Sequence, residues 1–128
     1  MKANKLKIEA LSEAVVHYSG YREPGSPLHI ARNPGGLKAH TQRHARDEHG
    51  NRIFTSVLDG MQALIFDTHL KVTGESSAKL KPTDTLVGFA AAHNQPSTVA
   101  SAYVKFLRKA MKDDSLSAKM PLSYFLED

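Results

Sequence analysis

The apolar residues of this chain recur at helical spacing in separate stretches, and this periodicity constrains the fold more than any other feature. The first stretch predicts a helix over residues 5–18 that ends by Gly20. Its apolar positions are Leu6, Leu11, Ala14, Val15 and Tyr18. A second long helix is predicted between Ser56, which can cap its start, and Gly74, which stops it.

The remainder of the chain predicts shorter helices. Pro82 begins a third helix that runs through Leu86 to His93, and Ser97 can cap a fourth helix. Residues 121–126 form a short apolar segment that we expect to pack back on the core. The predicted fold class is therefore all-α, with little or no sheet.

A long irregular segment, residues 21–52, separates the first two long helices and contains two marked turns. Pro24-Gly25-Ser26 turns the chain after the first helix. Asn33-Pro34-Gly35-Gly36 predicts a rigid turn, because Pro34 fixes φ and both glycines can adopt positive φ. Such a turn allows a ligand to approach the backbone closely. Residues 38–52 are polar and predict a solvated loop or short helix, and residues 53–55 a short extended piece.

Length and composition limit the classes of protein to consider. A chain of 128 residues with 41% hydrophobic and 23% charged residues is typical of one globular domain, here residues 1–128. It has no cysteine, which excludes disulfides, zinc–thiolate sites and thiol catalysis. Residues 1–52 carry nine Lys and Arg against five Asp and Glu, whereas residues 53–128 carry eight of each. A basic half suits nucleic acid, anionic membranes or the acidic glycans of a bacterial wall.

The N-terminal residues show no apolar run of the kind found in a signal peptide, and no segment is long enough to span a membrane. We therefore expect synthesis in the cytoplasm and no membrane insertion. A role at the cell wall then requires lysis or dedicated export.

Several short motifs occur in a fixed order along the chain: Pro24-Gly25-Ser26, Asn33-Pro34-Gly35, Leu37-Lys38, Ile53-Phe54-Thr55-Ser56 with Gly60, Ala102-Tyr103-Val104-Lys105-Phe106 and Pro121-Leu122-Ser123-Tyr124-Phe125-Leu126. Over residues 10–127 they resemble the small lysozyme-like domains of bacteria and phages, which are related in fold to lytic transglycosylases and goose-type lysozymes. The resemblance implies a lysozyme-like helical domain that binds peptidoglycan glycan strands. The substrate-binding residues that it implies are Ser19, Tyr21, Asn33, Gly35, Gly36, Ser56 and Tyr103.

Two residues depart from the family pattern. Gly36 stands where the family's turn has a second Asn, and Ser19 stands where it has the catalytic Glu. Glycan cleavage requires a carboxylic acid that protonates the leaving oxygen, and a serine hydroxyl cannot replace it. Glu23 is the candidate substitute acid, provided that a turn through Gly20 brings its side chain back. If the enzyme is active, the resemblance implies a peptidoglycan glycosidase or lytic transglycosylase.

The histidines of the polar segment form a second constellation. On a helix, His40 and His44 would share a face, with Asp47 one turn later. Histidine-rich loops are more often solvated than metal-binding, so we predict no metal and no cofactor.

Three functions remain open from the sequence. The first is peptidoglycan recognition by a monomer that has lost cleavage or has relocated its acid. The second is a non-catalytic virion structural or protein-interaction domain. The third is a basic nucleic-acid binder. It is less favoured because residues 38–52 contain no aromatic residues for base stacking.

Overall fold

The computed structural model describes residues 2–39, 41–76, 78–93, 95–96 and 98–127. Within them the chain forms helices and isolated β-bridges, with no β-strand. The helices are α1 (Lys5–Tyr18), α2 (Pro27–Ile30), α3 (Val57–Thr73), α4 (Leu86–Ala92) and α5 (Val99–Met111), followed by a 3₁₀ turn, Leu122–Phe125. The all-α prediction is therefore confirmed for these residues. No helix among them is long and apolar enough to cross a membrane.

The helix ends follow the polar and glycine residues that flank them. The Asn4 side chain accepts a hydrogen bond from the Lys7 backbone N–H at the start of α1. Ser56 accepts one from the Asp59 N–H at the start of α3. Gly74 ends α3 with φ +84°, a left-handed conformation that glycine adopts at little cost. Both predicted bounds of this helix are confirmed.

The hydrophobic core lies where α1 packs against α3 and α5, with α4 on α5 and the 3₁₀ turn on α3. Its fully buried members are Leu11, Ala14, Val15, Leu64, Val72, Leu86, Phe89, Ala90, Ala100, Tyr103, Leu107, Leu122 and Phe125. Leu122 and Phe125 belong to the closing segment, which packs on the core as predicted. This core holds the ends of α1 and α4 close to the irregular segment.

Leu6 follows the helical spacing of α1 but is 72% exposed, because the buried face of the helix is displaced toward Ile8, Leu11 and Val15. Two local predictions were wrong. The helix α2 interrupts the segment expected to be irregular, and the Ser26 hydroxyl caps its start. The third helix begins only after Thr85, since the Asp84 carboxylate accepts from the Lys81 N–H in the turn before it.

Three further predictions concern loop and cap residues. Residues 53–55 form no strand. The described part of residues 38–52 forms a folded-back loop, with bridges between Lys38 and Asn51 and between Arg46 and Arg52. Thr98 precedes α5 without a side-chain cap, whereas Ser97, the predicted cap, lies outside the described residues.

Candidate functional site

Ser19 joins the end of α1 to the irregular segment. It is the residue immediately after the last turn of α1, and its backbone is helical. The Oγ atom lies 2.9 Å from the Val16 carbonyl oxygen and 2.8 Å from the Pro34 carbonyl oxygen. A hydroxyl has one hydrogen, so these two carbonyls share it, while the Tyr21 N–H donates to Oγ at 3.1 Å. Ser19 thus connects the helix end to the Pro34-Gly35-Gly36 turn.

The turn lies directly on α3, and glycine is required at two points for this approach. A Cβ atom on Gly35 would overlap the side chain of Leu64, and one on Gly60 would overlap the Arg32 carbonyl oxygen. Gly36 has φ +67°, which side-chain-bearing residues rarely adopt. The close packing of turn and helix buries Gly35 and leaves Gly36 partly exposed.

Asn33 lies beneath this turn and is fully buried. Its Oδ1 accepts from the Leu37 N–H at 3.0 Å, and its Nδ2 donates to the carbonyls of Leu37 (2.8 Å) and Arg52 (2.9 Å). The side-chain amide is therefore occupied by the backbone on both sides. Asn33 shapes the turn and has no surface through which it can touch a substrate, contrary to the role that the resemblance implied.

His93, just after the end of α4, forms the opposite wall. Its Nε2 lies 2.5 Å from the Gly35 carbonyl oxygen, and its Nδ1 lies 3.0 Å from Lys71 Nζ. Lys71 in turn pairs with Asp67 at 2.8 Å. Burial and, to a smaller extent, the charge of Lys71 lower the pKa of His93 from its ordinary 6.5 to about 4, against opposing contributions from the Gly35 bond and Asp67. The ring is therefore neutral at pH 7.

A pocket of about 170 Å³ opens between these elements. Its lining residues are Ser19, Leu28, Gly35, Gly36, Lys38, His93 and Gln95. The Gln95 Oε1 atom is buried and accepts no hydrogen bond from the described residues. Lys38 supplies a positive charge, and its Nζ donates to Asn51 Oδ1 at 2.9 Å. None of these lining residues carries a carboxyl group.

Three of the residues predicted to bind substrate therefore meet at one pocket: Ser19, Gly35 and Gly36. Tyr21 is half-buried nearby, with its ring 5.5 Å from that of His29. Ser56 caps α3 and does not line the pocket. Tyr103 is fully buried between the rings of Tyr18 and Phe89, and this burial raises the pKa of its hydroxyl. It is a core residue without a surface that a ligand can reach.

Glu23, the candidate substitute acid, lies on the turn that follows α1. The expected turn through Gly20 forms, since the Glu23 N–H donates to the Gly20 carbonyl at 3.2 Å. The Glu23 side chain is nevertheless exposed and does not line the pocket. A general acid needs a raised pKa and contact with the scissile bond, and the exposed carboxyl has neither the burial nor the position at this pocket.

The sequence interpretation missed His93 and Gln95 as lining residues and gave Lys38 and Leu28 no role. The signal available for His93 was a histidine on the apolar face of a predicted helix, which more often packs in a core. Its pocket position depends on Lys71, which is 22 residues away. Lys38 had only a weak signal, its position two residues after the glycine turn.

The histidine constellation does not assemble on a helix. His44 and Asp47 lie in the loop, where the Asp47 carboxylate accepts from the backbone N–H groups of His49 and Asn51. His40 lies outside the described residues. Within the described part of the chain, no three His, Asp or Glu side chains are grouped to hold a metal ion.

No family model, curated protein or solved structure matches this chain. The resemblance to lysozyme-like domains stays a prediction from the motifs.

Proposed function

We propose that this chain is a lysozyme-like domain that binds peptidoglycan glycan strands at the Ser19 pocket without cleaving them. The observation that carries the proposal is the convergence of Ser19, at the end of α1, with Gly35 and Gly36 of the following turn on one pocket whose lining residues include no acid. Binding requires shape and hydrogen-bonding groups, which the pocket offers. Cleavage requires a general acid, which its lining lacks.

The polar groups of the pocket suit an uncharged or acidic glycan. Gln95 contributes a side-chain amide to the lining, although its Oε1 atom is itself buried, and Lys38 favours an anionic group. Gly36 has no side chain to obstruct a sugar ring, whereas a side chain on Gly35 would meet Leu64 instead. N-acetylated sugars that bear lactyl and peptide carboxylates offer all of these complementary groups.

The test incubates the protein with purified peptidoglycan, followed by sedimentation and by mass spectrometry of the supernatant. We expect the protein to sediment with the wall and to release no muropeptides. Gln95→Ala should weaken binding without destabilising the fold, because its Oε1 has no partner among the described residues. Gln42→Ala is the matched control, since Gln42 is exposed and does not line the pocket. Binding should persist in high salt, which screens non-specific attraction.

Any muropeptide release by the wild type would contradict the non-cleaving proposal, and Glu23→Gln then locates the acid. Release that is lost in Glu23→Gln would establish Glu23 as a relocated acid. Release that survives in Glu23→Gln would place the acid elsewhere.

The alternative of a protein-interaction or virion structural domain is favoured by one observation. A groove of about 400 Å³ between α1 and α3 contains the ring of Phe66, which is 63% exposed, together with Ile8 and Ile65. Exposed apolar grooves of this kind often contact other proteins. An intact fold with no wall binding would favour this alternative, and a salt-sensitive shift of random DNA would favour nucleic-acid binding.

A further inference from the structure

Three ionisable side chains, those of Asp67, Lys71 and His93, meet beside the pocket. Neither the Asp67 carboxyl nor the Lys71 amine lines it. Asp67 and Lys71 come from successive turns of α3, and His93 follows α4. The side chains of Lys71 and His93 are only 7% and 2% exposed. Burying an ammonium group is unfavourable unless it is paired and hydrogen-bonded, so this cluster needs a reason beyond filling the core.

The geometry fixes the state of each group. Lys71 Nζ lies 2.8 Å from Asp67 Oδ2 and 3.0 Å from His93 Nδ1. An ammonium only donates, so Nδ1 accepts and the ring hydrogen must reside on Nε2. The Nε2–H then donates to the Gly35 carbonyl at 2.5 Å. The direction of every hydrogen bond from α3 to the turn is thereby set.

We propose that Lys71, held by Asp67, is a positioning residue that fixes His93 as its Nε2–H tautomer and thereby holds the Gly35-Gly36 turn in the shape that a ligand requires. This inference rests on the proposed function for its binding consequence. Both Gly35 and His93 line the pocket, so a shift of the ring moves two of its walls together. Lys71 acts on the ligand only through His93 and does not itself line the pocket.

The test compares Lys71→Met with Thr68→Val. Lys71→Met keeps most of the side-chain length and removes Nζ. Thr68 lies on the same helix, is fully buried, and has a hydroxyl without a partner among the described residues, so Thr68→Val perturbs the core but not the cluster. We expect Lys71→Met to bind peptidoglycan about tenfold more weakly, as loss of one charge-assisted hydrogen bond warrants, and Thr68→Val to bind as the wild type does. Equal binding by a folded Lys71→Met would overturn the proposal.

Nitrogen NMR of the His93 ring reports the tautomer of His93. That signal would not change if Lys71 contributed only to the stability of the fold. The wild type should show the Nε2–H tautomer at pH 7, and Lys71→Met should show a shifted Nδ1 resonance, because Nδ1 loses its donor, together with shifted Gly35 and Gly36 amides. An Nδ1–H ring in the wild type would refute the positioning role. This measurement decides the positioning even if the wild type binds no peptidoglycan, in which case the proposed function fails separately. If Lys71→Met does not fold, Asp67→Asn replaces it with the same expected direction, and unchanged amides and binding would overturn the proposal.

Discussion

Acidification should destabilise the fold through His93 before the carboxylates are protonated. The ring is neutral when folded, with its pKa lowered from 6.5 to about 4 by burial and by the charge of Lys71. Between these two pH values the unfolded chain binds a proton that the folded chain does not. Stability is therefore constant above pH 6.5 with respect to this group and falls as the pH decreases toward 4.

The size of the effect follows from the two pKa values. The interval between 6.5 and about 4, at about 1.4 kcal/mol for each pH unit, corresponds to a loss of about 3 kcal/mol. That loss is a large fraction of the roughly 5–15 kcal/mol by which a domain is usually stable. It arises chiefly because burial disfavours the charged ring, and to a smaller extent because a protonated ring would place its new N–H against the Lys71 ammonium, 3.0 Å away.

The assay is urea unfolding followed by circular dichroism at pH 7.0, 5.5 and 4.5, with the wild type and His93→Gln in parallel. His93→Gln removes the titrating ring while keeping an N–H that can reach the Gly35 carbonyl. Its free energy of unfolding should depend much less on pH than that of the wild type. A wild-type free energy of unfolding that is equal at pH 7.0 and 4.5 would refute the reasoning.

Three further changes test other parts of the site. Gly35→Ala places a methyl group against Leu64 and should lower the free energy of unfolding by about 1–3 kcal/mol, measured by urea titration, whereas Gly88→Ala, whose added carbon meets its nearest atom at 3.8 Å, should not. Asn33→Ala removes three hydrogen bonds to buried backbone and should cost about 3 kcal/mol in the same assay; a cost below about 1 kcal/mol would contradict the structural role. Ser19→Glu should create muropeptide release that the wild type lacks, and mass spectrometry that detects none would count against the lysozyme-like interpretation.

The long helices were predictable because local residues determine them. Gly74 must end α3 wherever the helix packs, and the Ser56 cap depends only on residues within one turn. The four-residue helix α2 is too short for periodicity to reveal. Leu6 follows the helical spacing and is still exposed, because the sequence does not specify which neighbouring element covers a helix face.

The candidate site likewise has one part that local sequence predicts and another that depends on contacts between distant residues. The glycine turn and Ser19 were identified from motifs that lie close together in the sequence. Asn33 carries the same motif signal as its neighbours, but its burial depends on the carbonyl of Arg52, 19 residues away. The state of His93 depends on Lys71 and Gly35, which only the packing of α3 and α4 brings into contact. These distant pairings determine which motif residues line the pocket.

The most direct test of glycan recognition at the Ser19 pocket is an NMR titration of labelled protein with a soluble, uncross-linked peptidoglycan glycan fragment. The account predicts saturable shifts concentrated at the amides of Ser19, Gly35, Gly36 and Gln95, with the fragment recovered intact. Shifts concentrated around Phe66, or none at saturating fragment, would contradict it.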